Sequence, residues 1–204
     1  MKTIGLVGEA PNDTESIKNL LSKEYEDLVF ITLLNNIRGS LLEDDFLLGK
    51  DKKKKKNQPD GKINKKIKVL LRIEYQSSKP DIVIFIRDLD SLKSNKHQLQ
   101  IRKKYFAEVN SVVDKKGIYL LNIFEIEALI LADIKTFNSK YKTKIAAIED
   151  VMEVSEPKEF LRNASKGAYL ETHNSKIFQK LNFQQILSCS YFQAFVDEFD
   201  ELLS

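Results

Sequence analysis

Asp88 and Asp90 close the apolar run Asp81-Ile-Val-Ile-Phe-Ile-Arg-Asp-Leu-Asp90, two positions apart. Side chains at i and i+2 of a strand point the same way, so the two carboxylates are expected side by side. Buried together they repel, and a divalent cation is the usual compensation. Glu9 follows another apolar run, Lys2 to Gly8, and Asp13 lies four residues on, in the first turn of an expected helix. A helix N-terminus partly offsets such negative charge. Glu127 sits in the apolar stretch Phe124 to Phe137, a poor place for an unpaired charge. If Glu125 and Glu127 were both helical they would point about 200° apart, so only one could serve a given pocket. Glu127 is preferred, and Glu125 and Asp133 also read as acids at helix ends. With one cysteine, Cys189, and two histidines, His97 and His173, a structural zinc site is not expected. Oxygen donors of this kind suit Mg²⁺ or Mn²⁺.

The elements that would position these acids alternate along the chain. Strands are expected at Lys2–Gly8, Val29–Leu34, Asp81–Arg87 and Gly117–Ile123. Pro11-Asn12-Asp13-Thr14 is expected to form a turn with a helix N-cap, followed by a helix through about Tyr25, and further helices are expected over Gly61–Ser77, Asn95–Val113 and Phe124–Phe137. The continuous apolar run before Asp88, entered through Pro80, is typical of a strand buried on both faces of a parallel sheet. The alternation predicts an α/β fold with a mainly parallel four-stranded sheet flanked by helices. Ligands bind at the carboxyl edge of such sheets. After about Lys140 only short helices are expected: 145–152, 157–164, 174–181 and 183–203. Residues 1–140 thus read as one α/β domain with a lysine-rich insertion at about 36–68. Residues 141–204 read as a helical extension packed on it.

The 204 residues carry 42% hydrophobic and 31% charged side chains, as expected of a globular chain. No apolar run approaches the roughly 20 residues of a membrane span, and the opening apolar stretch is too short for a signal peptide. The single cysteine fits a reducing cytoplasm. Residues 50–68 hold ten lysines and two aspartates, a local +8 against an overall +3, so the remainder carries −5. Lys52, Lys53 and Lys54 in this run, with Arg87, are candidate phosphate contacts. The lysine run reads equally well as a solvated loop. The stripe Phe192, Phe195, Val196 and Phe199 reads as core rather than as a base-stacking platform.

The pattern Glu9-x-x-x-Asp13 followed by Asp88-x-Asp90 at a strand end resembles the Toprim domain of topoisomerases, primases and overcoming-lysogenization-defect nucleases. It is more similar to a Toprim-like family of small bacterial proteins, often encoded beside an ABC-type ATPase in phage-defence loci. Arg87-Asp-Leu-Asp90, Glu125-Ile-Glu127-Ala-Leu-Ile-Leu-Ala-Asp133, Tyr169-x-x-x-His173 and Cys189-Ser-Tyr-Phe192-x-x-Phe195 carry that resemblance. It covers most of the chain outside residues 36–68. Leu129 stands where the family usually has tryptophan, and Glu171 stands near an expected lysine, which Lys166 or Lys176 would replace.

The resemblance implies a Mg²⁺- or Mn²⁺-dependent endonuclease acting on DNA or RNA, the effector of an anti-phage system under an ATPase partner. Asp88 and Asp90 would hold one ion. Glu9, Asp13 and Glu127 would hold a second, or Glu9 would move a proton. Glu9, Asp88 and Asp90 are the catalytic candidates. Arg87, Lys52, Lys53, Lys54 and Lys166 would contact nucleic acid. A homo-oligomer is left open. One competing reading is a non-catalytic module that binds and regulates its partner. Another is a haloacid-dehalogenase-type phosphatase with Asp88-Leu-Asp90-Ser91 as its nucleophile motif.

Overall fold

The computed structural model describes residues 1–34, 65–92 and 94–204. The pentalysine run, Lys52, Lys53 and Lys54 included, lies outside them. The chain runs β1 (Thr3–Val7), α1 (Pro11–Leu21), β2 (Val29–Thr32), α2 (Lys65–Ser78), β3 (Ile82–Asp88), α3 (Lys96–Val112) and β4 (Gly117–Asn122). Short helices follow: α4 (Ala128–Ala132), α5 (Ile134–Tyr141), α6 (Pro157–Ala164), α7 (Asn174–Phe178), α8 (Phe183–Ile186) and the longer α9 (Ser190–Leu203). Single 3₁₀ turns lie at Val151–Glu153 and Glu171–His173.

All three strand pairings are parallel, and the sheet order is β2-β1-β3-β4. The fold is therefore α/β, a four-stranded parallel sheet flanked by helices with a helical C-terminal region. β1 and β3 are the inner strands, and β3 is buried on both faces from Ile82 to Arg87. The continuous apolar run is the consequence, because neither face meets water. On one face Val83 and Phe85 pack with Leu71 and Tyr75 of α2 and with Tyr105 and Val109 of α3. On the other, Ile84, Ile86 and Leu120 join Leu20 of α1, Phe178 of α7, and Phe192 and Phe199 of α9 in one core. Residues after Lys140 thus cover this face of the sheet together with α1 and the 126–137 segment. Each fully buried Leu, Ile or Phe contributes about 1.5–3 kcal/mol.

Several boundaries differ from expectation for local reasons. α1 starts at Pro11 itself, a residue suited to a first helical position, and ends at Leu21 rather than near Tyr25. The apolar stretch 124–137 is two helices broken at Asp133, whose carboxylate takes the Thr136 hydroxyl at 2.7 Å and the Asn182 N–H at 2.8 Å. No α-helix forms over 145–152: the Asn138 side chain binds both the N–H and the C=O of Ile145, at 3.0 and 2.8 Å, holding it out of a helical ladder. The segment 183–203 divides at Leu187-Ser188-Cys189 into α8 and α9.

Candidate functional site

The site is built on the carboxyl ends of β1, β3 and β4. Val7 is in register with Phe85, so two residues further Glu9 comes level with Arg87 at the end of β3. Glu9 Oε1 accepts the backbone N–H of Asp88 at 3.0 Å and pairs with Arg87 Nε at 2.9 Å. Asp88 is in register with Asn122, the last residue of β4, whose amide donates to Asp88 Oδ1 at 2.9 Å. Asp13 stands in the first turn of α1, where Oδ2 accepts the Ala10 N–H at 3.0 Å. Gly8 permits this close approach: a Cβ there would meet Thr14 Cγ2 at 2.9 Å and Asp13 Cβ at 3.4 Å. The sheet edge and the helix start thereby bring Glu9, Asp13 and Asp88 to one rim.

These acids share an electrostatic field. Burial pushes the Asp88 carboxyl well above the usual carboxylate range, and the charges of Glu9, Asp13 and Glu127 add to it against the Asn122 hydrogen bond. Asp13 is pushed up to about 7, by burial first and then by Glu9, with Glu127 and Glu171 adding and the Ala10 N–H opposing. Glu9 is raised by burial although Arg87, the Asp88 N–H and Arg102 oppose the shift. Burial is the largest cause for all three, and neighbouring carboxylates add to it.

Asp90 lies past the end of the strand that carries Asp88, although its charge still adds to the raising of Glu9. β3 ends at Asp88, and Asp90 adopts a left-handed φ of 55° while its N–H bonds to Phe124 O at 3.0 Å. The i/i+2 rule lapses once the strand has ended. The Asp90 carboxylate instead meets Arg102 Nη2 of α3 at 2.6 Å. Arg87 corrects a second expectation. Its side chain is fully buried, paired with Glu9 and set over the Tyr105 ring at 5.5 Å from the centroid. It is an internal counter-ion to Glu9 rather than a phosphate contact, because neighbouring residues of a strand point to opposite faces.

Glu127 lies at the start of α4 with 1% of its surface exposed. Its Oε1 accepts the Asn174 amide at 2.9 Å, and the Tyr169 hydroxyl lies 3.1 Å away. That hydroxyl also lies 2.6 Å from Asn174 Oδ1, so one proton serves two acceptors. Burial raises the Glu127 carboxyl against the opposing effects of Lys158 and Asn174. Glu127 thus ties the C-terminal region to the sheet edge as well as adding to the field at Asp13 and Asp88. Glu125 accepts the Lys158 N–H at 3.1 Å in the first turn of α6 and pairs with its ammonium at 3.5 Å. Lys158 Nζ also reaches Glu171 at 3.2 Å. Lys166 is exposed just beyond α6.

Sequence reasoning missed Asn122, Arg102 and Lys158. Asn122 carried a usable signal, a polar side chain ending an apolar strand as Asp88 does. Arg102 and Lys158 carried none, since each is one basic residue among several on its helix.

Among the described residues, no group of three or more His, Cys, Asp or Glu side chains is arranged to hold a metal ion. In chemistry the donor set of Glu9, Asp13 and Asp88 fits a hard divalent cation: oxygen donors, largely buried, with an excess of negative charge that burial makes costly.

An α/β fold with an acidic rim at the carboxyl edge of a parallel sheet defines the class. The chain belongs to the family described as "Domain of unknown function (DUF4276)", whose model matches residues 9–200 and so spans the rim and the C-terminal helices alike. No curated protein and no solved structure matches the chain. Among the described residues no helix is long and apolar enough to cross a membrane.

Proposed function

We propose that the chain is a metal-dependent phosphodiesterase acting on nucleic acid, the effector of a phage-defence pair governed by an ABC-type ATPase. The observation that carries this reading is the meeting of Glu9 with Asp88 on one rim, with Asp13 beside them and all three carboxyls raised. Asp88, Asp13 and the Glu9 oxygen not held by Arg87 would bind Mg²⁺ or Mn²⁺. Bound there, the ion supplies Lewis-acid polarisation of a phosphoryl oxygen and lowers the pKa of a coordinated water. Arg87 holds Glu9 in place, and Asn122 orients Asp88. Lys158, between Glu125 and Glu171, is the cation beside the rim that a phosphate can meet.

The test is cleavage of plasmid DNA and of structured RNA with Mg²⁺ or Mn²⁺. Glu9→Gln and Asp88→Asn keep shape and remove charge. Each is expected to lower the rate by about 100-fold or more, as losing a charge-stabilising group does. Activity equal to wild type in both variants contradicts the reading.

One observation favours a second reading, a non-catalytic module that binds and regulates an ATPase. Three candidate acids are engaged by protein groups, Glu9 by Arg87, Asp90 by Arg102 and Glu127 by Asn174. On that reading the acids are structural. Metal-independent function, together with partner binding unchanged in Asp88→Asn, would favour it.

A further inference from the structure

The helical C-terminal region carries positive charge that the acidic rim does not use. A cavity of about 520 Å³ opens between the ends of α5 and α6, lined by Lys142, Lys144 and Lys166 with Tyr141 and Ser165. All three lysines are exposed, and none forms an ion pair with an acid among the described residues. Lys142 and Lys166 occupy the left-handed positions just after the two helices, with φ of 55° and 54°. A cation at a helix C-terminus offsets the dipole, which accounts for one lysine per helix end. It does not account for Lys144. Nor does it account for a second group close by: Lys176 and Lys180 both act on Lys140, adding to desolvation in lowering its pKa. Gathering like charges costs free energy unless something anionic is to be met.

The cavity is joined to the rim in two ways. Lys158 and Arg162 lie at i and i+4 on α6, Arg162 beside Glu159 at 3.5 Å, and Lys166 follows two residues past the helix end, so basic residues run from the rim to the cavity. At 1.5 Å per residue the helical part from Lys158 to the end of α6 is about 9 Å long, two to three steps of a nucleic-acid strand at about 3.4 Å each. At its rim end Lys158 meets Glu125 and Glu171, and a second hollow of about 200 Å³ is lined by Lys158, Arg162 and Tyr169. The cavity wall is also linked to α1. Tyr141 Oη lies 2.8 Å from His173 Nδ1, and two residues earlier Glu171 O accepts the Asn12 amide at 2.8 Å, next to Asp13.

We propose that the stripe on α6 and the lysine-lined cavity at its end form the docking track for the phosphate backbone of a nucleic acid, delivering it to the acidic rim. The proposal rests on the phosphodiesterase reading for its substrate class. It places the main contacts on the folded C-terminal region rather than on the lysine run at 50–68. A phosphate in the cavity would be met by several ammonium groups, and the stripe would fix the direction in which the strand leaves. Such contacts position a backbone and carry no sequence information.

The experiment measures binding apart from cleavage. Fluorescence anisotropy of a labelled DNA duplex and a labelled RNA hairpin is recorded with the full chain in EDTA, at about 50 to 200 mM salt. The triple variant Lys142→Gln/Lys144→Gln/Lys166→Gln is compared with a control on α3, Lys96→Gln/Lys103→Gln/Lys104→Gln. All six side chains are exposed, and both variants are expected to melt with wild type. The cavity variant should bind at least about tenfold more weakly at low salt, with the slope of log K against log salt shallower by about 2.7, from three lost phosphate contacts. The control should bind as wild type. No binding by wild type, or equal weakening in both variants, overturns the track. Asp88→Asn separates the two ideas. If it and wild type bind equally in EDTA and neither cleaves once Mg²⁺ or Mn²⁺ is supplied, the track stands and the hydrolase reading fails. If wild type cleaves while the cavity variant binds unchanged, the track fails and the hydrolase reading stands.

Discussion

Glu9, two residues past β1, accepts the backbone N–H of Asp88, the last residue of β3, at 3.0 Å. Residues 79 positions apart in the chain thus meet on one rim, and the same Glu9 oxygen is held by Arg87 at 2.9 Å. The contact follows from the parallel pairing of β1 with β3, which brings their carboxyl ends level. It gives the acids of the site a common field that adds to the effect of burial on their carboxyls.

The first prediction concerns pH. Asp13 is raised from its ordinary value to about 7 in the folded chain. A carboxyl raised on folding binds more protons folded than unfolded. Its stabilising contribution is complete below the unfolded pKa and is lost as pH rises through the folded one. Asp13→Asn removes this loss and keeps an acceptor for the Ala10 N–H. Thermal melts without divalent ions should show the variant matching wild type near pH 4 and gaining on it up to about pH 7. A variant whose melting temperature trails wild type more as pH rises would contradict the assignment.

Divalent cations should act in the opposite sense. An ion that binds the folded rim stabilises by mass action, and protons compete for the same carboxylates. Mn²⁺ should raise the melting temperature at pH 8, and less at pH 5. Asp88→Asn should abolish most of the gain, while Asp90→Asn should keep it, since Asp90 meets Arg102 instead. Equal loss in both variants would put Asp90 back in the site.

The Arg87–Glu9 pair is a charge couple with one fully buried member and one side chain 26% exposed. Breaking a fully buried pair from one side costs about 3–5 kcal/mol, and the exposure of Glu9 brings the expected cost of Arg87→Met to about 2–3 kcal/mol. Adding Glu9→Gln should recover part of that, since no charge is then left alone. Urea unfolding of the two single variants and the double closes the cycle. Additive losses would show that the two side chains are not coupled.

The buried Glu127 network has a graded prediction. Tyr169→Phe removes a hydroxyl whose single proton is shared and should cost about 1 kcal/mol. Asn174→Ala removes the amide that donates to the carboxylate and should cost about 2–3 kcal/mol. Denaturant midpoints at pH 7 read both, and the reverse order would contradict the assignment of Asn174 as the main donor.

The parallel sheet was legible because its strands announce themselves. Val83 to Ile86 has to be apolar on both faces of an inner strand, and the inner strand β1 is buried in the same way. The acidic rim was legible for the same reason, since Glu9 and Asp88 each come two residues past the last apolar residue of such a run. Asp90 was misread because its placement depends on where the strand stops, and the left-handed turn after Asp88 leaves no periodic signal. Arg87 was misread because a buried cation needs a buried partner, and Glu9 is distant in the chain. The breaks at Asp133 and Cys189 lie inside apolar stretches whose spacing continues helically. They are set by tertiary bonds such as Asp133 to Asn182. The cavity lysines belong to segments with no pattern of their own, and they are collected only by the way α5 and α6 end side by side.

The most direct test of the shared cation pocket is an anomalous difference map from crystals of the full chain soaked in Mn²⁺ near pH 8. A peak about 2.1 Å from carboxylate oxygens of Asp88 and of Asp13 or Glu9 is the predicted result. A map with no peak beside Asp88, or with its peak at Asp90 and Arg102, would contradict the account.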